Sequence, residues 1–533
     1  MPHKSTSYRL WLALIATAVT MALPAGAQSR PQLVVGIMVD GLDPQYLDLL
    51  APHFTPGGFN RLMRDGVTIA NADYGTNLDG TATAAVLMTG ADPATTSVTG
   101  ARIYDPTAQR TSPAMLDPAE IGNFTDQTFS PRSLAVSTLA DECRIAGGGV
   151  TRAISIAADP SVAVILAGHS ANAALWLNDR TGAWASSNYY KDIPTAVTKR
   201  NRITPLASRL DTMQWTPLLD ATAYPGLPEH LTHYPFRYIF PRGNDHRYAL
   251  FGASPLVNRE ITQLASEIIA DLKLGTADGT DMVNIAYSLR PFDYTKNGDN
   301  RYELMDSYLR LDRDLQQLFA SVEGRLGKDK AVFYLAATPP GGTSRRDPEQ
   351  WGVPFGEFST KRARSLLNMY LMGIFGNGEW VSAFNSNQFY LNQKLIRERG
   401  VDAKAVRAEA ASLLARMSGV DRVYTIDEIL TGSADPRIAS LRRSLHPDSA
   451  GDLYLEVDPG WEIVDDMVSP VSPQRTQYVK RCAPATAPVY ILAPATEART
   501  LAAPVDARAI APTVARILRI RSPNAASLPA LVL

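Results

Sequence analysis

Three uninterrupted apolar runs predict strands that are buried on both faces: Leu33–Asp40, residues 331–335 and residues 489–492. Such runs are typical of parallel sheets that helices cover on both sides. A helical pattern over residues 305–326 precedes the second run, and another over residues 509–520 follows the third. This alternation predicts an α/β fold with a doubly wound, mostly parallel sheet and helices on both faces, rather than separate domains.

Two long segments interrupt this alternation. Between about residues 100 and 260, Pro, Gly, Asn and aromatic residues are frequent and the periodicity is weak. Residues 345–470 mix a basic helical stretch with short strand patterns at 388–391 and 452–457. We interpret both segments as cap-like insertions, so the sequence predicts one domain over residues 28–533 that carries two excursions.

The N-terminus has the pattern of a secretory signal peptide. Lys4 and Arg9 precede the apolar residues 10–23, and the small residues 25–27 follow before Gln28. A basic start, a short apolar run and a small-x-small site predict cleavage after residue 27 and export to the periplasm or the medium. An uncleaved membrane anchor is the alternative. No later run is long enough to span a bilayer, so we expect no membrane association after cleavage.

Composition and charge exclude few functions. The chain has 533 residues, of which 45% are hydrophobic and 20% charged, and a formal net charge of −1. Lys and Arg form no basic stripe, so we expect no nucleic-acid partner. An exported chain can form disulfides, but Cys143 and Cys482 are far apart in sequence, and both a disulfide and two buried thiols remain open.

Asp40 is the first candidate functional residue because it ends the first predicted strand. In open α/β sheets, functional groups collect just beyond the carboxyl ends of the strands. A turn or cap aspartate is the structural alternative at this position.

Several short motifs, in a fixed order along the chain, carry a resemblance to a known family. The chain resembles the type I phosphodiesterase/nucleotide pyrophosphatase branch of the alkaline phosphatase superfamily, and within it the single-chain bacterial alkaline phosphatases with a threonine nucleophile. The matching segments are 34–41, 57–62, 66–67, 88–90, 104–105, 167–169, 173–176, 306–312, 451–454, 459–461 and 510–513.

The resemblance implies an alkaline-phosphatase-like fold and a site with two zinc ions held by aspartates and histidines. It assigns Asp40 to the first metal-binding aspartate and Asp293 to the next. The nucleophile position falls on Thr81, although the motif after it is one residue short and Thr83 is an alternative. A threonine after Gly80 is also an ordinary residue for the start of a helix.

The remaining positions that the resemblance assigns to ligands have changed. Asn297 replaces a histidine, and residues 331–344 and 471–488 contain neither the expected Asp-His pair nor the last histidine. Asp159 lies where the family carries cations for the phosphoryl group, and Ala101 replaces its asparagine. We therefore expect a degenerate site without a bound cofactor.

These departures leave three hypotheses for function. The first is a non-catalytic pseudoenzyme with a binding or regulatory role. The second is a phosphoric-ester hydrolase, a phosphomonoesterase or phosphodiesterase, with an altered metal site. The third is a structural partner of an active paralogue, which would require a protein partner. The sequence identifies neither the ligand nor the partner.

The histidines outside these motifs suggest no second site. We interpret His169 as a hydrogen-bonded core residue rather than a metal ligand. His230, His233 and His246 fall in the first insertion, where a new metal site is the less favoured interpretation because their spacing is not diagnostic.

Overall fold

The computed structural model describes residues 30–76, 78–292, 299–339, 352, 354–431, 434–458, 460–464, 486–494 and 496–533. Their strands, in chain order, are β1 (Leu33–Asp40), β2 (Val67–Asp73), β3 (Arg102–Asp105), β4 (Arg110–Pro113), β5 (Gly122–Asn123), β6 (Ala153–Ala157), β7 (Ala173–Leu177), β8 (Trp184–Ser187), β9 (Gln214–Trp215), β10 (Tyr238–Ile239), β11 (Asp281–Ser288), β12 (Ala331–Ala337), β13 (Gly356–Ser359), β14 (Val381–Asn385), β15 (Gln388–Leu391), β16 (Val420–Thr425), β17 (Leu453–Val457), β18 (Trp461–Val464), β19 (Thr486–Leu492), β20 (Arg499–Leu501) and β21 (Val505–Asp506).

The α-helices of the same residues alternate with these strands. In chain order they are α1 (Pro44–Leu50), α2 (Phe59–Asp65), α3 (Gly80–Thr89), α4 (Pro93–Thr96), α5 (Leu139–Ala146), α6 (Pro160–Ala167), α7 (Thr195–Arg202), α8 (Leu206–Leu210), α9 (Glu229–His233), α10 (Arg247–Ala253), α11 (Leu256–Asp271), α12 (Arg301–Leu326), α13 (Thr360–Phe375), α14 (Gln393–Arg399), α15 (Ala403–Leu414), α16 (Ile426–Thr431), α17 (Pro436–Ser444) and α18 (Ile510–Leu518).

A large mixed sheet forms the centre of the molecule. Its strand order is β20-β2-β19-β12-β1-β11-β6-β7-β8-β5, and β21 also pairs with β2. The central strands β12, β1, β11, β6 and β7 run parallel. Strand β19 is antiparallel to both of its neighbours. The predicted α/β class and mostly parallel sheet are confirmed. Strand β1 has the predicted bounds, whereas β12 extends two residues further and β19 begins three residues earlier than predicted.

Strand β1 is central because it can be buried on both faces. Its first seven residues are fully buried between β11 and β12. Gly36 lies at its middle, where a Cβ atom would come within 2.3 Å of Asn284 Oδ1 and 2.4 Å of the Tyr334 hydroxyl oxygen. The absence of a side chain there lets polar groups of both neighbouring strands lie over β1.

The first predicted insertion contains part of the main sheet. Strands β6, β7 and β8 fall within residues 100–260, yet they extend the sheet beyond β11. Each has only four or five residues, which is too short to give a clear period in the sequence. The two-residue strand β5 of the same segment pairs with β8 at the edge of this sheet. The segment also supplies the β3-β4 hairpin, the short β9-β10 pair and several small helices.

The second predicted insertion forms a unit with its own sheet and core. Strands β14, β15, β17 and β16 make an antiparallel sheet in that order. Side chains of α13, α14 and α15 pack on it in a separate apolar cluster that includes Leu367, Trp380 and Phe389. Within the ranges described above, no helix has the length and apolar character needed to cross a membrane.

Candidate functional site

Three parallel strands end together at the edge of the sheet that carries Asp40. In β11, Ser288 pairs with Asp40, and in β12, Ala337 pairs with Val39. The residues that follow these strands therefore meet at Asp40, as expected for the carboxyl edge of a parallel sheet. The tertiary structure brings Arg290 and Thr338 to this point.

Both carboxylate oxygens of Asp40 are engaged by these two residues. The Thr338 hydroxyl donates a hydrogen bond of 2.6 Å to Oδ1. The Arg290 guanidinium forms an ion pair with Oδ2. The Thr338 hydroxyl also accepts a hydrogen bond of 3.1 Å from the Gly41 backbone N–H. The Asp40 side chain is 17% exposed, so its charge is largely screened from water and is balanced by the guanidinium instead.

The N-terminus of α3 lies against the same carboxylate. A Cβ atom on Gly80 would be 2.6 Å from Asp40 Oδ1, so only a residue without a side chain fits at this point. Asp79 caps the helix, and its Oδ1 accepts hydrogen bonds of 3.0 Å from the N–H groups of Thr81 and Ala82. Its Oδ2 accepts a third, of 2.7 Å, from the Ala101 N–H.

The two threonines predicted as nucleophile candidates differ in their hydrogen bonds. The Thr83 hydroxyl donates 2.8 Å to the Asp79 carbonyl oxygen in the preceding turn, which is an ordinary helix interaction. Thr81 is the second residue of α3 and is buried. Its hydroxyl makes no hydrogen bond to another described residue. Thr81 therefore remains the better candidate of the two, although no hydrogen bond joins its side chain to Asp40.

Asp159, where the resemblance expects cations, caps α6 and accepts a hydrogen bond of 2.9 Å from the Val162 N–H. Loss of hydration raises the pKa of Asp159, the charge of Arg290 lowers it and the charge of Asp79 raises it. The charges of Arg290 and Asp79 thus both act on Asp159, and a carboxylate at this position suits a phosphate poorly because it repels the anion.

Asp293, the other predicted metal ligand, lies outside the described residues together with Asn297, and its role stays a prediction. Among the residues that the structure does describe, no group of three or more His, Cys, Asp and Glu side chains is arranged to hold a metal ion. That includes His230 and His233 on α9 and His246 before α10, which are all exposed. Of the two predicted ligands, the described part of the site contains Asp40 alone, with both of its oxygens engaged, and this part does not fit a two-zinc centre.

His169 is hydrogen-bonded through both ring nitrogens, as predicted, but it does not lie in the core. Its Nδ1 lies 3.1 Å from Asp141 Oδ2, and its Nε2 lies 3.0 Å from the Leu134 carbonyl oxygen. The hydrogen bond to Asp141 raises the pKa of His169 above its usual value, against the opposing effect of burial. The side chain is half-buried rather than part of the deep core.

Two of the family motifs serve the fold rather than chemistry. Asp312 accepts hydrogen bonds from the N–H groups of Thr55, at 2.7 Å, and Phe59, at 2.8 Å. A Cβ atom on Gly58 would be 2.0 Å from Asp312 Oδ1, which explains the glycine before α2. Conversely, Arg290 is a site residue outside all of the matching motifs, and its position just after a buried strand was the signal that could have indicated it.

Comparison with known proteins agrees with this architecture. A family model described as type I phosphodiesterase / nucleotide pyrophosphatase matches residues 34–478. A Myroides odoratus protein named calcium-transporting ATPase is 28% identical over 453 residues, which are 81% of this chain and 82% of that protein. Alkaline phosphatase PhoV of Synechococcus elongatus is 27% identical over 454 residues, 81% of each chain. The crystal structure of wild-type alkaline phosphatase PafA aligns with a TM-score of 0.81 at 23% identity, covering 95% of this chain and 99% of that one.

The fold and the family match together define an alkaline-phosphatase-like α/β protein, a phosphoesterase-like member of that superfamily. The chain belongs to the type I phosphodiesterase/nucleotide pyrophosphatase family, whose model spans most of its length. The family resemblance and the fold expected from the sequence are thereby confirmed.

Proposed function

We propose that this protein is a non-catalytic member of its family, a pseudoenzyme with a binding or regulatory role. The observation that carries the proposal is the engagement of Asp40 by Arg290 and Thr338. Metal-assisted phosphoryl transfer needs cations held in fixed positions with open coordination sites for the substrate. An aspartate whose two oxygens already bind a guanidinium and a hydroxyl has no oxygen left to hold such a cation.

The charges around Asp40 support the same proposal. A divalent cation bound to Asp40 would lie next to the Arg290 guanidinium, which would repel it. A phosphate group would face Asp79 and Asp159, and the N–H groups of Thr81, Ala82 and Ala101 are already hydrogen-bonded to Asp79. Neither the metal nor the substrate of the family chemistry finds a complementary surface among the described residues.

Metal content and turnover test the proposal directly. The purified full chain is dialysed against zinc, analysed by inductively coupled plasma mass spectrometry, and assayed with p-nitrophenyl phosphate and bis-p-nitrophenyl phosphate. PhoV of Synechococcus elongatus is the positive control. We expect well under one zinc ion per chain and no turnover above the buffer rate. About two zinc ions per chain together with turnover would refute the proposal.

A phosphoester hydrolase with an altered site is the second candidate. It is favoured by relatives named alkaline phosphatases and by the buried Thr81 at the start of α3. If the protein is such a hydrolase, we expect the wild type to turn over the substrate and Thr81→Ala to be inactive. Thr83→Ala should keep the activity, because the Thr83 hydroxyl donates its hydrogen bond to the backbone of its own helix. Equal rates in all three proteins would exclude Thr81 as a nucleophile.

We further propose that the chain is exported, on the strength of the basic and apolar pattern of its N-terminus. Expression of the full sequence in a Gram-negative host, followed by periplasmic extraction and N-terminal sequencing, tests this. We expect a mature chain that begins at Gln28. A chain that keeps Met1 and stays with the cytoplasmic fraction would contradict export.

A further inference from the structure

Backbone contacts hold the segment around Arg290 close to Asp40. The Leu289 N–H donates a hydrogen bond of 2.8 Å to the Asp40 carbonyl oxygen. Gly41 has φ of +80°, and a Cβ atom there would lie 3.3 Å from both the backbone nitrogen and Cγ of Arg290. A glycine therefore allows the chain at Arg290 to pass close to the end of β1.

The first insertion anchors the same segment from the other side. Phe292 is 2% exposed, and its ring centroid lies 4.9 Å from that of Trp215 and 4.7 Å from that of Tyr238. Trp215 is held in turn by a hydrogen bond of 2.6 Å from Nε1 to Asp306 Oδ2. The backbone at Arg290 thus lies between two fixed points, which keep the start of its side chain close to Asp40.

We propose that the Arg290 guanidinium is an internal replacement for the metal charge at Asp40, so that this edge of the sheet is stabilised without a bound cation. This inference rests on the proposed function. It adds that Asp40 and Arg290 are energetically coupled, because the partly buried carboxylate needs a counter-charge and the chain supplies it. The Arg290 side chain is 47% exposed and the Asp40 side chain only 17%, so the cost falls on the carboxylate. Removing Arg290 leaves Asp40 without a counter-charge and with reduced access to water, which costs more than losing a fully exposed ion pair.

A double-mutant cycle with Arg290→Met and Asp40→Asn tests the coupling. Methionine keeps much of the side-chain length without charge, and asparagine keeps the shape of the carboxylate. We expect Arg290→Met to lower the thermal midpoint of the full chain, measured in EDTA, by several degrees. The double variant should lose clearly less than the sum of the two single losses. An additive cycle would overturn the inference.

The matched control is the exposed ion pair of Arg180 and Asp126, whose side chains are 67% and 59% exposed. The cycle of Arg180→Met and Asp126→Asn should show no coupling beyond error, since exposed pairs contribute little. Coupling of equal size at this pair would mean that the effect at Arg290 is an ordinary surface effect, and would also overturn the inference.

A conservative variant keeps the test decisive if Arg290→Met does not fold. Arg290→Lys retains the positive charge but not the planar guanidinium group. Its thermal midpoint should lie closer to that of wild type than to that of Arg290→Met. If Arg290→Met does not fold, Arg290→Lys should still fold. A lysine variant as unstable as the methionine variant would contradict a role for charge.

Failure of this inference is separable from failure of the proposed function. An additive cycle in a chain that is zinc-free and inactive refutes only the role of Arg290. Zinc bound near two ions per chain with turnover refutes the proposed function whatever the cycle shows.

Discussion

Asp141 holds His169 through both the ring and the backbone. Its Oδ2 lies 3.1 Å from His169 Nδ1, and its Oδ1 accepts a hydrogen bond of 2.8 Å from the His169 N–H. Asp141 also accepts hydrogen bonds from Thr138 at the start of α5 and from Ser170. One carboxylate therefore ties α5 to the turn between α6 and β7.

The first prediction concerns the pH dependence of this contact. The pKa of His169 is raised by Asp141, so the stabilisation is complete below about pH 6.5, the value of an unfolded histidine, and is lost as pH rises through the higher folded value. We expect His169→Gln to lower the thermal midpoint more at pH 5.5 than at pH 8.5. The exposed His230→Gln is the control. Parallel curves for wild type and His169→Gln would contradict the prediction.

The second prediction concerns Asp314, a buried carboxyl on α12 whose Oδ2 has no hydrogen-bond partner among the residues that the structure describes. Burial raises its pKa to about 7, against the opposing charges of Arg259 and Arg310. Because the folded pKa lies above the unfolded value of about 3.9, the free energy of unfolding should fall as pH rises between about 4 and 7. Asp314→Asn should remove this decline and stabilise the protein at pH 8 by about 1–3 kcal/mol. Urea denaturation at pH 5 and pH 8 measures it, with the exposed Asp329→Asn as control. The same pH slope in Asp314→Asn as in wild type would count against this assignment.

The third prediction concerns Asp306, which is fully buried and organises the first insertion. It accepts hydrogen bonds from Trp215 Nε1 at 2.6 Å, from the Leu218 N–H at 2.7 Å and from the Tyr224 hydroxyl at 2.7 Å, and it pairs with Arg310. Asp306→Ala leaves these donors and a cation without their partner, so we expect a loss of about 3–5 kcal/mol in urea denaturation. Asp421→Asn on the exposed face of β16 is the control. A loss below about 1 kcal/mol would show that water replaces the carboxylate.

The fourth prediction concerns Thr338, whose hydroxyl joins Asp40 to Gly41. Thr338→Val keeps the shape but removes a donor to the carboxylate and an acceptor for the backbone. We expect a loss of about 1–3 kcal/mol in urea denaturation, because the partners stay partly buried. Thr338→Ser retains the hydroxyl and should recover more than half of the loss. A serine variant no better than the valine variant would assign the effect to packing.

The sequence left open whether Cys143 forms a disulfide or is a buried thiol. Cys143 is a buried thiol whose Sγ lies 3.2 Å from the Thr280 carbonyl oxygen. Cys482 lies outside the described residues. Burial and the hydrogen bond account for Cys143 as a core residue.

Local pattern was sufficient for the central architecture. The apolar run of β1 could be recognised in the sequence because a strand buried on both faces is apolar almost throughout. Helix α12 could be recognised because its 26 residues repeat the helical pattern over several turns. The ordered motifs could indicate the family because each of them is a short contiguous segment that is visible in the sequence. Strands β6 to β8 were assigned to an insertion because a segment of four or five residues is too short for its pattern to distinguish a strand of the main sheet from a loop.

The chemistry of the site depended on the tertiary structure. The sequence alone singled out Asp40 and predicted that the expected zinc ligands were replaced. It could not show that Arg290 and Thr338 contact Asp40, because they are 250 and 298 positions away along the chain. Only parallel pairing of β1 with β11 and β12 brings three strand ends together. The counter-charge of a carboxylate is set by its neighbours in space, whereas a strand or a helix is encoded by its neighbours in sequence.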